Sequence, residues 1–181
     1  AKTDFSSDEM ALRTIALCNN LADPLEITLW NYAKDKGVDP ESLSKTFKRT
    51  HEVPFTSENK YMLTINSMEN GEVALVKGAP EIVLDFCELK TEEKARLVAQ
   101  VDEWSTAGLK VIAVAYKSAG NLRQLQGFKL VGKVGIEDPV RLGVKEAITL
   151  CRRAGIKVKI VTGDHKGTAI KVASAIGLTI T

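Results

Sequence analysis

The pattern of apolar and polar positions changes character along the chain. "SSDEMALRTIALCNNL" carries apolar residues at helical spacing behind a Ser6-to-Glu9 capping box, which predicts a helix. "DPLEITLWNYAKDKG" predicts a second, with Asp23 as its cap, Pro24 at the first helical position and Gly37 as its stop. A short polar stretch follows, and "FKRTHEVPF" reads as extended. "KYMLTIN" and "EVALVK" read as strands around "SMENG", whose Asn70-Gly71 pair is a hairpin signal. "APEIVLDFC" predicts a helix from Pro80, and "TEEKARLVAQVDEWSTAG" a longer one capped by Thr91 and closed by Gly108. "LKVIAVAY" and "GFKLVGKVGI" predict two more strands. Adjacent strands mixed with helices point to an α/β chain of the α+β kind, an antiparallel sheet flanked by helices.

After "EDPV" the pattern differs. "RLGVKEAITLCRRAG" predicts a helix, "IKVKIV" a buried strand, and "TGDHKGTAIKVASAIG" a loop running into another helix. This αβα order belongs to parallel, doubly wound sheets. One strand between two helices cannot bury a parallel sheet by itself. The pattern therefore predicts two units, 1–136 and 137–181, with a hinge near 137–140 and only a fragment of the second domain. The chain shows no internal repeat.

Composition narrows the classes. The chain has 181 residues, 44% hydrophobic and 27% charged, which suits a globular fold with its own core. The net charge of +2 gives no global electrostatic case for nucleic acid or a membrane surface. Cys18, Cys87 and Cys151 stand apart from one another and from histidines, so they read as reduced thiols rather than metal ligands. No run is long and apolar enough to span a bilayer, and no signal peptide is expected. The opening "AKTDFSSDEM" reads as the middle of a longer chain.

Candidate chemistry centres on Lys77. In "EVALVKGAPEIV", strand alternation puts Lys77 on one face with Val73 and Leu75. A buried lysine is costly unless its charge is met, so either its tip reaches solvent or an anion meets it. Gly78 permits close approach to the backbone, and the helix opened by Pro80 brings free amides nearby. Phe55 has two readings: a core ring, or an exposed ring on which a planar base stacks. Lys60 is expected to share a strand face with Met62 and Thr64, as a surface lysine or a pocket one. Glu26 either completes the capping box of Asp23 or accepts from an exocyclic amine. Lys110 sits at a strand start. Thr162, Gly163 and Asp164 follow the parallel-type strand, where open α/β sheets bind ligands. A hydroxyl and a glycine amide suit phosphoryl oxygens, and Asp164 suits a divalent ion. A plain turn is the alternative. His51 and His165 are too few and too far apart for a metal cluster, and no metal ligand is assigned.

The segments "LCNN", "DPLEITL", "PFTSENKYM", "VKGAPE", "GLKVIAVAY", "VGIEDPVR" and "IKVKIVTGDHKGTA" follow the order found in P-type cation-transporting ATPases. The chain resembles that family over essentially its whole length, and most closely its calcium-pump-like branch. The resemblance implies that residues 1–136 are the cytosolic nucleotide-binding domain. It implies that residues 137–181 are part of a phosphorylation domain with a haloacid-dehalogenase-type parallel sheet. It further implies a site for ATP, taken with Mg2+. Phe55 would stack on adenine, and Glu26 would face its amino group. Lys60 and Lys77 would line the pocket with Gly78 beside it, and Lys110 would reach toward the phosphates. Asp138 and Arg141 match the hinge, and Thr162, Gly163 and Asp164 match the loop that meets the γ-phosphoryl group.

The implied partners are ATP or ADP and the rest of a pump, namely its phosphorylation, actuator and transmembrane domains. The implied location is the cytoplasmic face of a membrane protein, the fragment itself being soluble. The sequence lacks the D-K-T-G-T motif that carries the phosphorylated aspartate and the later G-D-G-x-N-D loop, so no phosphoenzyme is expected from this chain alone. It also lacks the His-Pro pair usual in heavy-metal pumps. Two other readings stay open. A haloacid-dehalogenase-type phosphatase requires a D-x-D that is not found, and an interaction module would bind no ligand.

Overall fold

The computed structural model describes residues 1–118, 124–137, 143–162 and 166–178. Its elements run β1 (Lys2–Phe5), α1 (Asp8–Leu17), α2 (Pro24–Asp35), α3 (Pro40–Thr46), β2 (Arg49–Val53), β3 (Tyr61–Met68) and β4 (Gly71–Gly78). They continue with α4 (Pro80–Phe86), α5 (Thr91–Thr106), β5 (Leu109–Ser118), β6 (Lys129–Glu137), α6 (Val144–Arg153) and α7 (Lys166–Ala175). The strands form one six-stranded sheet in the order β1-β6-β5-β4-β3-β2. Every neighbouring pair is antiparallel. The expected antiparallel sheet with flanking helices is therefore what the chain forms.

Helices cover both faces of this sheet. Ile112 and Val114 of β5 pack with Ala11 and Ile15 of α1 and Leu29 and Ala33 of α2. Ala113 and Ala115, the alternate residues, pack with Val83 of α4, while Leu109 and Val111 meet Trp104 of α5. A strand covered on both sides reads as a continuous apolar run, which is why "LKVIAVAY" shows little alternation. On β4, Val73 and Leu75 face α1 and join Leu17, Cys18, Phe47 and Met62 in a third cluster. These layers leave the end of β4, the head of α2 and the start of α4 close together.

Several local expectations are corrected. The cap of α1 is Ser7, whose side chain accepts from Met10 N, while Ser6 Oγ donates to Val131 O at 3.0 Å on β6. The β3–β4 turn is Glu69-Asn70, with Met68 opposite Gly71. Gly71 takes the positive φ of +112° and Asn70 does not. Thr91 is the first helical residue of α5 rather than its cap, and Lys90 precedes it without a side-chain cap. The polar stretch after Gly37 contains α3, headed by Asp39 and Pro40 as α2 is headed by Asp23 and Pro24. β1 was not expected at all.

The largest correction concerns "IKVKIV". Residues 156–161 form no strand, and Ile156, Ile160 and Val161 are exposed, Val161 at 96%. A parallel strand is stable only between neighbours and under helices. Among the described residues it has neither, and α6 buries none of its own residues. Of the expected αβα fragment, α6 and α7 form and the strand between them does not, so a haloacid-dehalogenase-like unit is not shown.

Candidate functional site

The geometry of the site begins with α2. Asp23 heads the helix and accepts from Glu26 N at 2.9 Å, and Pro24 fills the first helical position. Leu29 and Ala33 turn toward the sheet, and Glu26, three residues before Leu29, lies on the same side. That side meets the end of β4, where the alternation that buries Val73 and Leu75 also buries Lys77. Glu26 and Lys77 are each only 5% exposed. Lys77 Nζ donates to Glu26 Oε1 at 2.6 Å. The anion that a lysine on an apolar strand face requires is therefore supplied by the protein itself.

Glu26 does not complete the capping box in the expected way. Its Oε2 reaches past Asp23 and accepts from Ala22 N at 2.8 Å and Asn20 N at 3.2 Å. Burial pushes its carboxyl up, but the Lys77 ammonium and these two amides outweigh that and hold it below the ordinary value. Cys18 lies beneath the pair and donates to Met62 O at 3.4 Å. Burial pushes its thiol up to about 11 despite the nearby Lys77 charge, which marks it as a packed residue and not a nucleophile.

The loop between β2 and β3 supplies the opposite wall. Phe55, two residues beyond β2, is 54% exposed, so it is not a core ring. Lys60 precedes β3 with a φ of +59°, so the strand-face count made for it does not apply. Its side chain is exposed and lies 3.4 Å from Glu81 on α4. Gly78 has a different reason from the one expected. A Cβ there would lie 2.5 Å from Lys60 O and 2.7 Å from Tyr61 Cα, so the neighbouring backbone itself demands glycine. This close approach is fixed by Ala79 N donating to Lys60 O at 2.9 Å.

Glu26, Phe55, Lys60, Lys77, Gly78 and Lys110 all line one cavity of about 860 Å³. They come from α2, the β2–β3 loop, β4 and β5. Such a volume lies in the range typical of small-molecule sites, roughly 300–1,000 Å³. Leu25, Leu29 and Leu84 make part of its wall apolar, and Lys171 and Val172 of α7 border it. Thr162 is exposed and is not among the described residues of this wall. Asp138, Arg141, Gly163 and Asp164 lie outside the described residues.

One group was missed from the sequence. Arg49 on β2 donates through Nη2 to Leu17 O at 2.7 Å and Asn19 O at 2.8 Å. Through Nη1 it reaches Asn20 Oδ1 at 2.5 Å and Glu52 Oε2 at 2.7 Å. Asn20, above all, and Arg49 hold the Glu52 carboxyl below its ordinary value. The available signals were the R-x-x-E spacing on one strand and the paired asparagines of "LCNN".

Comparison with known proteins agrees with this architecture. Residues 3–143 match the family model described as P-type ATPase, cytoplasmic domain N. The chain is 32% identical over 198 residues to calcium-transporting ATPase 1 of Lactococcus lactis, covering 96% of this chain and 23% of that protein. It is 34% identical over 196 residues to the sodium/potassium exporting P-type ATPase cta3 of Schizosaccharomyces pombe, covering 92% of this chain and 19% of that one. The chain thus spans about a fifth to a quarter of the length of these relatives. No helix among the described residues is long and apolar enough to cross a membrane. A six-stranded antiparallel sheet between helices, a cavity at one end of it and these matches lead to one assignment: the chain belongs to the P-type ATPase family, and residues 3–143 match its cytoplasmic domain N.

Proposed function

We propose that residues 1–136 bind ATP in this cavity, as the nucleotide-binding part of a cation-transporting pump. The observation that carries the reading is Phe55, a large ring left half-exposed on the wall that also holds Glu26, Lys77 and Lys110. Adenine stacks on such a ring, and stacking on an aromatic face is worth about 1–3 kcal/mol per base. Glu26 Oε1 accepts one bond from Lys77 and keeps a lone pair for an exocyclic amine. Lys60 and Lys77 have carboxylate partners, and Lys110 has no ion-pair partner among the described residues. Lys110 is therefore the cation left for a phosphate.

Mg2+ would arrive with the phosphates, since that ion is bound mainly through substrate oxygens and water. Among the described residues no three His, Cys, Asp or Glu side chains gather as a metal site. Residues 137–181 would belong to the phosphorylation domain, with Asp138 and Arg141 at the hinge. Thr162, Gly163 and Asp164 would meet the γ-phosphate when the domains close, bringing it in line with an acceptor aspartate outside this sequence. The parent would work at the cytoplasmic face of a membrane and hydrolyse ATP to move a cation. The names of the relatives range over calcium and sodium/potassium.

The test is an amide-shift titration of the protein with Mg-ATP. Saturable shifts centred on Phe55, Lys77 and Lys110 support the reading. Their absence at millimolar nucleotide would leave an interaction module with no ligand.

A further inference from the structure

We propose that Arg49 is a positioning residue for the cavity, which through the turn of residues 19–22 aims the Glu26 carboxylate at Lys77 and the ligand. The proposal rests on the reading of the cavity as a nucleotide site.

The turn is where the work is needed. Leu21 has a φ of +55°, a left-handed conformation that costs a branched residue about 1–2 kcal/mol. Such a conformation persists only where the surroundings over-determine it. Here it turns the amides of Asn20 and Ala22 inward onto Glu26 Oε2. Asn19 braces the turn from inside: its Oδ1 accepts from Leu21 N at 2.9 Å, and its Nδ2 donates to Glu26 O at 2.9 Å. Arg49 braces it from outside, holding Asn19 O and the Asn20 side chain at once. The same guanidinium holds Leu17 O at the end of α1. Only a planar fork with five donors makes these contacts together, and an ammonium does not.

The arrangement also ties two walls into one body. Arg49 stands on β2, and Phe55 follows the end of that strand. The strand that carries the ring is thereby bonded to the turn that orients the carboxylate. Removing the fork frees the turn to relax, takes the two amides from Glu26 and loosens the spacing between ring and carboxylate.

The test is run first on ligand-free protein, by following the Glu26 carboxyl carbon through an NMR pH titration. The charged and titratable groups around Glu26 are Lys77 on β4, Arg49 and Glu52 on β2, Cys18 behind α1 and Asp23 at the head of α2. Glu52 and Asp23 are carboxyls too and are followed as separate signals. In Arg49→Met the Glu26 midpoint rises toward the ordinary carboxylate range. Arg49→Lys, which keeps the charge and loses the fork, shows the same rise. Leu21→Gly in the Arg49→Met background restores part of the wild-type midpoint, because glycine holds a positive φ without help.

The ATP dissociation constant of both Arg49 variants rises about tenfold, a change of about 1.4 kcal/mol. A Glu26 midpoint that stays at the wild-type value in a folded Arg49 variant overturns the proposal. So does an unchanged dissociation constant. Failure of the wild type to bind ATP is a separate result: it removes the nucleotide reading and leaves the titration as the test of the bracing itself.

Discussion

Lys77 Nζ lies 2.6 Å from Glu26 Oε1, and the two residues are 51 positions apart in the sequence. The contact joins the end of a sheet strand to the first turn of a helix on the sheet's face. It holds together two walls of the cavity, and both charges are removed from water. Taking away one partner leaves the other charged and alone, which costs about 3–5 kcal/mol. Lys77→Met is expected to lose that much stability in urea denaturation. Glu26→Gln combined with Lys77→Met is expected to recover most of it, because no uncompensated charge remains. A double variant no more stable than Lys77→Met alone would show that the loss does not come from an uncompensated Glu26 charge.

The same pair sets a pH dependence. The Glu26 carboxyl is held below its ordinary value of 4.5. A carboxyl lowered by folding contributes stability that is complete above its unfolded value and is lost as pH falls through the folded one. Stability is therefore expected to decline on the acid side, below pH 4.5, and to be insensitive to Glu26 near neutrality. Urea midpoints measured across this window in wild type and Glu26→Gln give the check. The variant should be less stable at pH 7, where Lys77 has lost its partner, and its acid decline should be shallower.

Phe55 separates ligand binding from folding. Half of its ring is in solvent, so Phe55→Ala should leave the urea midpoint nearly unchanged. It should weaken ATP binding by about 1–3 kcal/mol, the range for stacking of a base on an aromatic ring. Phe55→Trp keeps a flat face and should retain most of the affinity. Calorimetric titration of the three proteins with Mg-ATP distinguishes these outcomes.

Gly78 makes the opposite prediction. Gly78→Ala places a methyl group 2.5 Å from Lys60 O and 2.7 Å from Tyr61 Cα. These are backbone atoms and cannot rotate away. Overpacking of this kind costs about 1–3 kcal/mol, and relief requires β3 and the preceding loop to move outward. The variant should be less stable than wild type. It should also bind ATP more weakly, because the displaced loop carries Lys60 and Phe55. A stable variant with weakened binding alone would return Gly78 to the role of leaving room for ligand.

The sheet was legible where the chain alternates or turns sharply. "KYMLTIN" and "EVALVK" around a glycine turn gave the β3–β4 hairpin, and the face count for Lys77 was correct because β4 is regular from end to end. What the sequence concealed was identity of partners. Nothing local to Lys77 names Glu26, which becomes its neighbour only when α2 folds onto the sheet. Lys60 was misread because alternation extended one residue too far leaves out a left-handed turn. β1 has too few residues for any period to be visible, and its strand character comes from β6 beside it. "IKVKIV" shows the converse: strong strand propensity forms no strand where no neighbour is supplied. α3 could have been found, since Asp39-Pro40 repeats the Asp23-Pro24 opening of α2.

Pairing between β1 and β6 sets Lys2 opposite Gly135 and Phe5 opposite Gly132. The first strand of the sheet and the last therefore lie side by side and run in opposite directions. Whatever is joined at Lys2 and at Glu137 is joined at neighbouring points on one edge. β6 is also paired with β5 as far as Glu137, so a load on either strand passes straight into the body of the sheet. Glu137 pairs with Leu109 of β5 and, with Lys110 beside it, borders the cavity, so a pull on the end of β6 reaches the cavity wall directly.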